Sequence, residues 1–222
     1  FRAAMDIVAH SLWAGLGAAA VARHWSVSAG QARAVVALAA LPDIGHLVPI
    51  ALWGLLGDGS WQALQGYAFA TPGAEPWLPA AVQVWSHTLH CVMHSAIVAS
   101  VVTMLAWHWW RWLMLPLAGW WSHIVIDVVT HSSEYYPSPV LYPITDRGFD
   151  GIAWPTPWFM ALNYAALGIA GLWLWRSSRM RAASGPAAPG ARGGGPPASV
   201  KMLPCPVCGT YVVPGKAISV VS

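Results

Sequence analysis

Histidine and aspartate side chains recur at helical spacing inside one of the most apolar segments of this chain. The run WSHIVIDVVTH places His123, Asp127 and His131 four residues apart. A helix advances about 100° per residue, so these three side chains stay within about 80° of one another on one face. Imidazole and carboxylate groups together are ligands for Zn, and also for Mn or Fe. The run therefore predicts part of a metal site.

Two further apolar segments and a helix break carry the same residue types. His87, His90 and His94 fall within about 60° on one helical face. His10 lies a few residues into the first apolar segment, and Asp43 lies in the Pro-containing second one. If the segments cross a membrane, these groups lie in the same half of the bundle, and Asp43 is nearest the midplane. We therefore expect them to converge on one or two divalent metal ions.

An ionisable side chain is costly in a bilayer, which limits the explanations for this convergence. One charged group at the bilayer centre costs about 2.5–3.5 kcal/mol on insertion scales, so several must pair or bind a cation. A metal site satisfies them together. A buried polar network that stabilises the bundle, a path for protons or metal ions, and a structural metal in an accessory subunit of a membrane complex remain alternatives.

Composition indicates the elements that position these groups. The chain is 57% hydrophobic and only 9% charged, and it holds 16 tryptophans, whereas soluble domains are about 25% charged. We predict an all-α, polytopic transmembrane helix bundle with about five spans. The spans fall near residues 5–22, 34–56, 81–107, 113–130 and 156–175, and Pro42 and Pro49 interrupt the second of them.

Basic residues predict the orientation of this bundle. Nine of the 11 Lys and Arg residues fall on one side of five alternating spans, and only Arg2 and Arg147 fall on the other. The positive-inside rule then places the N-terminus outside, the tail in the cytoplasm and the polar cluster in the outer half. Because topology accounts for the basic residues, the net charge of +3 does not indicate a nucleic-acid partner.

The C-terminal part has a different composition. We predict a bundle over residues 1–176, a disordered linker rich in Gly, Pro and Ala over 177–200, and a small Cys-x-x-Cys element over 201–222. Cys205 and Cys208, in CPVC, resemble the first half of a small zinc-binding Cys-x-x-Cys module. Structural zinc needs four ligands, so the others would come from beyond Ser222 or from a partner chain. A reduced, metal-free turn is the alternative.

The motifs MDIVAHSLWAG, LPDIGH, HTLHCVMHS and WWSHIVIDVVTHSSEYYPSPVLYPITDRGFDGIAW resemble the YdjM-like family of membrane-bound metal-dependent hydrolases. The resemblance covers roughly residues 5–175. By match, it implies site roles for His10, Asp43, His94, His123 and Asp127. The run HTLHCVMHS departs from the family pattern because it lacks a basic residue that many members carry. The resemblance also implies a bacterial inner membrane as the location.

These observations favour hydrolysis of an ester or phosphoester of a lipid or other amphiphile by metal-activated water. Asp43 is a ligand or the general base, and His90 is a second catalytic candidate. Arg147, in the outer loop, is the candidate for binding a substrate phosphate. The predicted metal ligands are His10, His94, His123 and Asp127, with His87 and His131 in supporting positions or on a second metal.

Overall fold

The described part of the chain is mostly α-helical, and its longest irregular segment covers residues 131–156. The computed structural model describes residues 2–183 and, in the tail, residues 203–204 and 211–212. The helices are α1 Arg2–Val21, α2 Ala29–Gly45, α3 Val48–Leu56, α4 Trp61–Ala68, α5 Ala80–Met93, α6 Ala96–Trp109, α7 Met114–Thr130 and α8 Pro157–Ala183, with a 3₁₀ turn at Arg111–Leu113. In the tail, β1 Leu203–Pro204 pairs antiparallel with β2 Tyr211–Val212. The prediction of an all-α bundle is confirmed.

Two to four of these helical segments can cross a membrane. By length and hydropathy, Arg111–Thr130 and Pro157–Arg181 qualify alone. The pair α2 and α3 and the pair α5 and α6 each qualify as one broken span, bent by 62° and 63°. The remaining apolar helical stretch, Ile7–Val21, is shorter than a span. The predicted total of five spans is therefore not confirmed.

The bend between α5 and α6 corrects the prediction of one continuous span over residues 81–107. Ser95 acts as the N-cap of α6, because its hydroxyl accepts a hydrogen bond of 3.1 Å from the first turn. The indole N–H of Trp120 donates to the carbonyl of Met93 at 2.5 Å. The N–H of Ala96 donates to a loop carbonyl at 2.9 Å. The backbone groups released by the bend are thus satisfied inside the protein, as a low-dielectric surrounding requires.

The bend between α2 and α3 was expected from proline, but it does not lie at either proline. Pro42 lies inside α2, and Pro49 lies in the first turn of α3, where its missing N–H costs nothing. The chain turns between them, around His46. The hydroxyl of Ser86, on α5, donates to the carbonyl of His46 at 2.7 Å. This contact fixes the break against α5.

Helix α2 packs mainly against α7 and α1, and small residues permit the close approach. Ala14, Ala18 and Ala39 are buried together between α1 and α2. Gly119, on α7, has no room for a side chain, because a Cβ there would lie 2.0 Å from the carbonyl oxygen of Val35. Close packing of small residues is typical of helices in membranes. It places α1, α2 and α7 around the same interior space.

Two predicted irregular segments contain helix. Residues 57–79, which lie between two predicted spans, include α4, which Ser60 caps by accepting a 3.2 Å hydrogen bond from the N–H of Ala63. Residues 177–183, expected as the start of the linker, continue α8. The chain divides into two compact units, Phe1–Ser178 and Arg179–Ser222. Every residue of the polar cluster lies in the first unit.

Candidate metal centre

Four helical segments bring ionisable side chains to one buried point. His10 comes from α1, His94 from the break between α5 and α6, and His123 and Asp127 from successive turns of α7. These four residues are 0–1% exposed. Asp43, from the last turn of α2, joins them with a side chain that is 16% exposed. A buried His/Asp group with this composition can hold a metal ion.

The ligand atoms of His94, His123 and Asp127 have spacings close to those around a tetrahedral metal ion, and Asp43 lies slightly farther away. A metal–ligand distance of about 2.0–2.1 Å separates the ligands from each other by about 3.3–3.4 Å. Nε2 of His94 lies 3.1 Å from Nε2 of His123. Oδ2 of Asp127 lies 3.3 Å from Nε2 of His94 and 3.2 Å from Nε2 of His123. Oδ1 of Asp43 lies 3.6 Å and 3.7 Å from the same two nitrogens.

Backbone carbonyls fix the tautomers of the two central imidazoles. Nδ1 of His94 lies 2.8 Å from the carbonyl oxygen of His90, and Nδ1 of His123 lies 2.8 Å from that of Ala39. A carbonyl only accepts, so each Nδ1 carries the proton and, in the neutral ring, each Nε2 carries a lone pair. Metal-binding histidines are commonly held by this kind of second contact.

These Nε2 lone pairs point towards one another, and this arrangement shows whether the residues fit a metal ion. Nε2 of His94 and Nε2 of His123 face each other at 3.1 Å, and both face a carboxylate oxygen of Asp127. Neither oxygen of Asp127 receives a hydrogen bond of good geometry. Acceptors packed this closely in a buried site repel one another unless a proton or a metal cation lies between them. The donor set therefore fits a divalent ion.

The second oxygen of Asp127 faces a different pair of imidazoles. Oδ1 lies 3.0 Å from Nε2 of His10 and 3.7 Å from Nε2 of His131. The ring of His10 stacks on that of His123, with centroids 3.9 Å apart. Nδ1 of His131 donates to the carbonyl of Tyr136 at 2.5 Å. His131 is thus held in the same manner as His94 and His123.

A cavity of about 470 Å³ opens beside this cluster. The histidines and aspartates that line it are Asp43, His46, His87, His90, His94, His131 and Asp146. Apolar groups, including Ile7, Leu47 and Trp154, line other parts of its wall. A cavity that combines metal-ligand chemistry with apolar walls suits a molecule that has both a polar and an apolar part.

Tyr136 connects the cavity wall to the cluster, and sequence reasoning did not single it out. Its backbone has φ of 47°, a left-handed conformation that a non-glycine residue rarely adopts. This conformation presents its carbonyl to His131. Its hydroxyl donates to Oε1 of Glu75 at 2.7 Å. Burial, followed by this contact with Glu75, raises the pKa of the Tyr136 phenol. No local motif pairs Glu75 with Tyr136.

The other predicted residues lie at different distances from the cluster. His90 and His46 both line the cavity. The ring centroid of His90 lies 4.2 Å from that of His94 and 5.5 Å from that of His46. His87 is exposed, with Nε2 3.5 Å from Sγ of Cys91. Arg147 is exposed and is not among the residues that line the cavity, whereas its neighbour Asp146 is.

The tail cysteines lie outside the described residues. β1 and β2 stand on either side of the segment that contains Cys205 and Cys208, and the predicted tail zinc stays a prediction. Comparisons with known proteins give no match to a family model, to a curated protein or to a solved structure. The function is therefore argued from the cluster and the cavity.

Proposed function

We propose that this chain is a membrane-embedded, metal-dependent hydrolase that acts on an ester or phosphoester of a lipid or other amphiphile. The observation that carries the proposal is the convergence of the Nε2 lone pairs of His94 and His123 on Asp127, beside a cavity with polar and apolar walls. The resemblance of the sequence motifs to the YdjM-like hydrolases agrees with it.

The side chains divide into those that hold the ion and those that act on substrate. His94, His123 and Asp127 would hold the ion, since they are buried and their ligand atoms lie 3.1–3.3 Å apart. Such an ion, when bound, would act as a Lewis acid. It would also lower the pKa of a water molecule, so that hydroxide is available to attack an ester near neutral pH. Asp43 completes the ligand set or accepts the proton of the attacking water, because its carboxylate faces both the cluster and the cavity.

His90 is placed to move that proton onward. It lines the cavity and stacks against His94, and its ring lies 5.5 Å from that of His46. These contacts give a chain of imidazoles along the cavity wall that leads away from the ion. An imidazole titrates near neutral pH in water, so it serves as a general acid or base. The leaving group would take its proton from this wall.

The membrane placement belongs to the same proposal. With α1 as a fifth span, the basic residues put the N-terminus outside, the tail in the cytoplasm and the cavity towards the outer side of a bacterial inner membrane. A headgroup would then enter from the outer surface while its acyl part stays at the apolar wall. Zinc is our first choice of metal, with Mn or Fe as alternatives. The tail, through Cys205 and Cys208, would bind a separate zinc or a partner chain.

Hydrolysis of chromogenic amphiphiles tests the proposal. The detergent-purified chain is loaded with Zn²⁺ or Mn²⁺ and assayed with 4-nitrophenyl octanoate and with the octyl ester of 4-nitrophenyl phosphate. We expect turnover that a chelator abolishes and added metal restores. The variant Asp127→Ala should be inactive, and His108→Ala, an exposed histidine at the end of α6, should match the parent.

The opposite result is equally specific. A chain that binds metal through Asp127 but hydrolyses neither ester would contradict the hydrolase and favour a structural or transported ion. Failure to bind metal would favour a polar network or proton path.

A further inference from the structure

We propose that Asp127 bridges two divalent ions, so that the centre is dinuclear. The proposal rests on the metal site argued above and adds a second ion with its own ligands. The first ion lies between Oδ2 of Asp127 and the imidazoles of His94 and His123. The second lies on the Oδ1 side, between the imidazoles of His10 and His131.

The carboxylate of Asp127 separates two pairs of imidazoles, and each pair faces a different oxygen. Oδ2 lies 3.2 Å and 3.3 Å from Nε2 of His123 and of His94. Oδ1 lies 3.0 Å and 3.7 Å from Nε2 of His10 and of His131. The ligand atoms of His10, His123 and Asp127 lie within 4.8 Å of one another, and Nε2 of His10 is close to Oδ1, the oxygen that His94 and His123 do not face. A carboxylate whose two oxygens each face two imidazole nitrogens has the ligand arrangement of a bridging group.

The tautomer of His131 supports the second position. Its Nδ1–H donates to the carbonyl of Tyr136, so Nε2 of the neutral ring directs a lone pair towards Oδ1 of Asp127. This is the arrangement that identifies His94 and His123 as ligands of the first ion. The backbone of Tyr136 adopts its left-handed conformation at the position where its carbonyl meets His131. Strained backbone of this kind is typical of functional sites.

The positions of the ligands in the chain match a two-ion centre as well. His123 and Asp127 lie one turn apart on α7, and His131, four residues on, is the C-cap of that helix, so the central carboxylate lies between a ligand of the first ion and a ligand of the second. Paired ions in hydrolytic centres lie about 3.5–4 Å apart, a separation that the two oxygens of one carboxylate can span. Asp43 and His131 both line the cavity, so a substrate there would meet both ions.

A two-ion centre also indicates the class of substrate. Two divalent cations exceed the combined charge of the two carboxylates, Asp43 and Asp127. The centre would therefore carry positive charge, which favours an anionic ester. Paired metal ions are used to stabilise both the attacking and the leaving oxygen of a phosphoryl group. We expect the phosphoester of an amphiphile to be preferred over its carboxyl ester.

Manganese titration followed by electron paramagnetic resonance tests this proposal. Mn²⁺ prefers imidazole and carboxylate to thiolate, so it does not report on the tail cysteines. The full chain, depleted with chelator, should bind two Mn²⁺ per chain and show the multiline spectrum of an exchange-coupled pair. His131→Ala and His10→Ala should each bind one Mn²⁺ and show the uncoupled six-line spectrum. His108→Ala should match the parent.

The outcomes separate this proposal from the proposed function. One Mn²⁺ per parent chain, uncoupled and unaffected by His131→Ala, overturns the dinuclear centre and leaves a one-metal hydrolase intact. No bound Mn²⁺ and no bound Zn²⁺ overturns both. The variant His131→Gln, which preserves size, serves if the alanine variant unfolds. A coupled pair that persists in both His131 variants would also overturn the assignment of His131.

Discussion

Gly119 lies against the backbone of α2, and its replacement links helix packing to metal binding. A Cβ at this position would lie 2.0 Å from the carbonyl oxygen of Val35. The obstacle is backbone, so the strain of Gly119→Ala can be relieved only if α2 and α7 move apart. A normal carbon–oxygen contact of about 3.2 Å requires a shift of about 1 Å.

That shift would reach the metal centre through both helices. Ala39, one turn beyond Val35 on α2, provides the carbonyl that orients His123 at 2.8 Å. His123 itself lies one turn beyond Gly119 on α7. We expect Gly119→Ala to cost about 1–3 kcal/mol of stability, the usual cost of overpacking. Loss of the contact that orients His123 should weaken metal binding about 10–100-fold.

Gly168→Ala is the matched control. Gly168 lies in α8, and a Cβ there meets nothing within 4 Å, so alanine should leave stability unchanged or slightly higher. The assay is thermal unfolding in detergent, together with a competition titration against a chromophoric chelator. If Gly119→Ala unfolds at the same temperature as Gly168→Ala and binds metal equally well, the close contact of α2 and α7 that we describe is wrong.

Three smaller changes test other parts of the structure. Ser95→Ala removes the N-cap of α6 and the buried hydrogen bond that the Ser95 hydroxyl donates to the carbonyl of Tyr142, and should cost about 1–3 kcal/mol in thermal unfolding; an unchanged midpoint would argue against the bend at this position. Tyr136→Phe removes the hydrogen bond to Glu75 and should speed proteolysis of the loop after α7 without altering metal content; equal cleavage rates would argue against that contact. The backbone N–H and hydroxyl of Ser133 donate hydrogen bonds to Asp150 and lower the pKa of its carboxyl group. The contact is therefore intact above the ordinary carboxyl pKa of about 3.9. It is lost as the pH falls through the lower pKa of the folded protein. Hydrogen exchange at the Ser133 amide should therefore show protection at pH 5, and a loss of protection already at that pH would contradict the contact.

Composition and spacing were sufficient to predict the helical class and that His10, Asp43, His94, His123 and Asp127 lie together, whereas His87, expected with them, is exposed. An apolar chain with few charges leaves helices as the simple way to satisfy its backbone. His123 and Asp127, one turn apart in α7, were expected to face the same way, and the structure places them together with His10 and His94. That expectation depended only on helical periodicity and on the cost of burying ionisable groups.

Long-range contacts account for what the sequence did not predict. The bend at Ser95 is stabilised by Trp120 and by the loop after α7, partners that are distant in the chain. The contact between Tyr136 and Glu75 joins two loops that are 61 residues apart. Five spans are not confirmed, and hydropathy alone does not distinguish a straight span from two helices that meet at about 60°.

Metal content tests the central claim most directly. Parent and His123→Ala/Asp127→Ala proteins are purified in detergent, both with Cys205 and Cys208 changed to serine so that the tail adds no metal, and are measured by elemental analysis. The account predicts stoichiometric divalent metal in the parent and none in the double variant, with both proteins monodisperse. A parent that carries no metal after gentle purification and reloading, or a double variant that retains the parent's content, would contradict it.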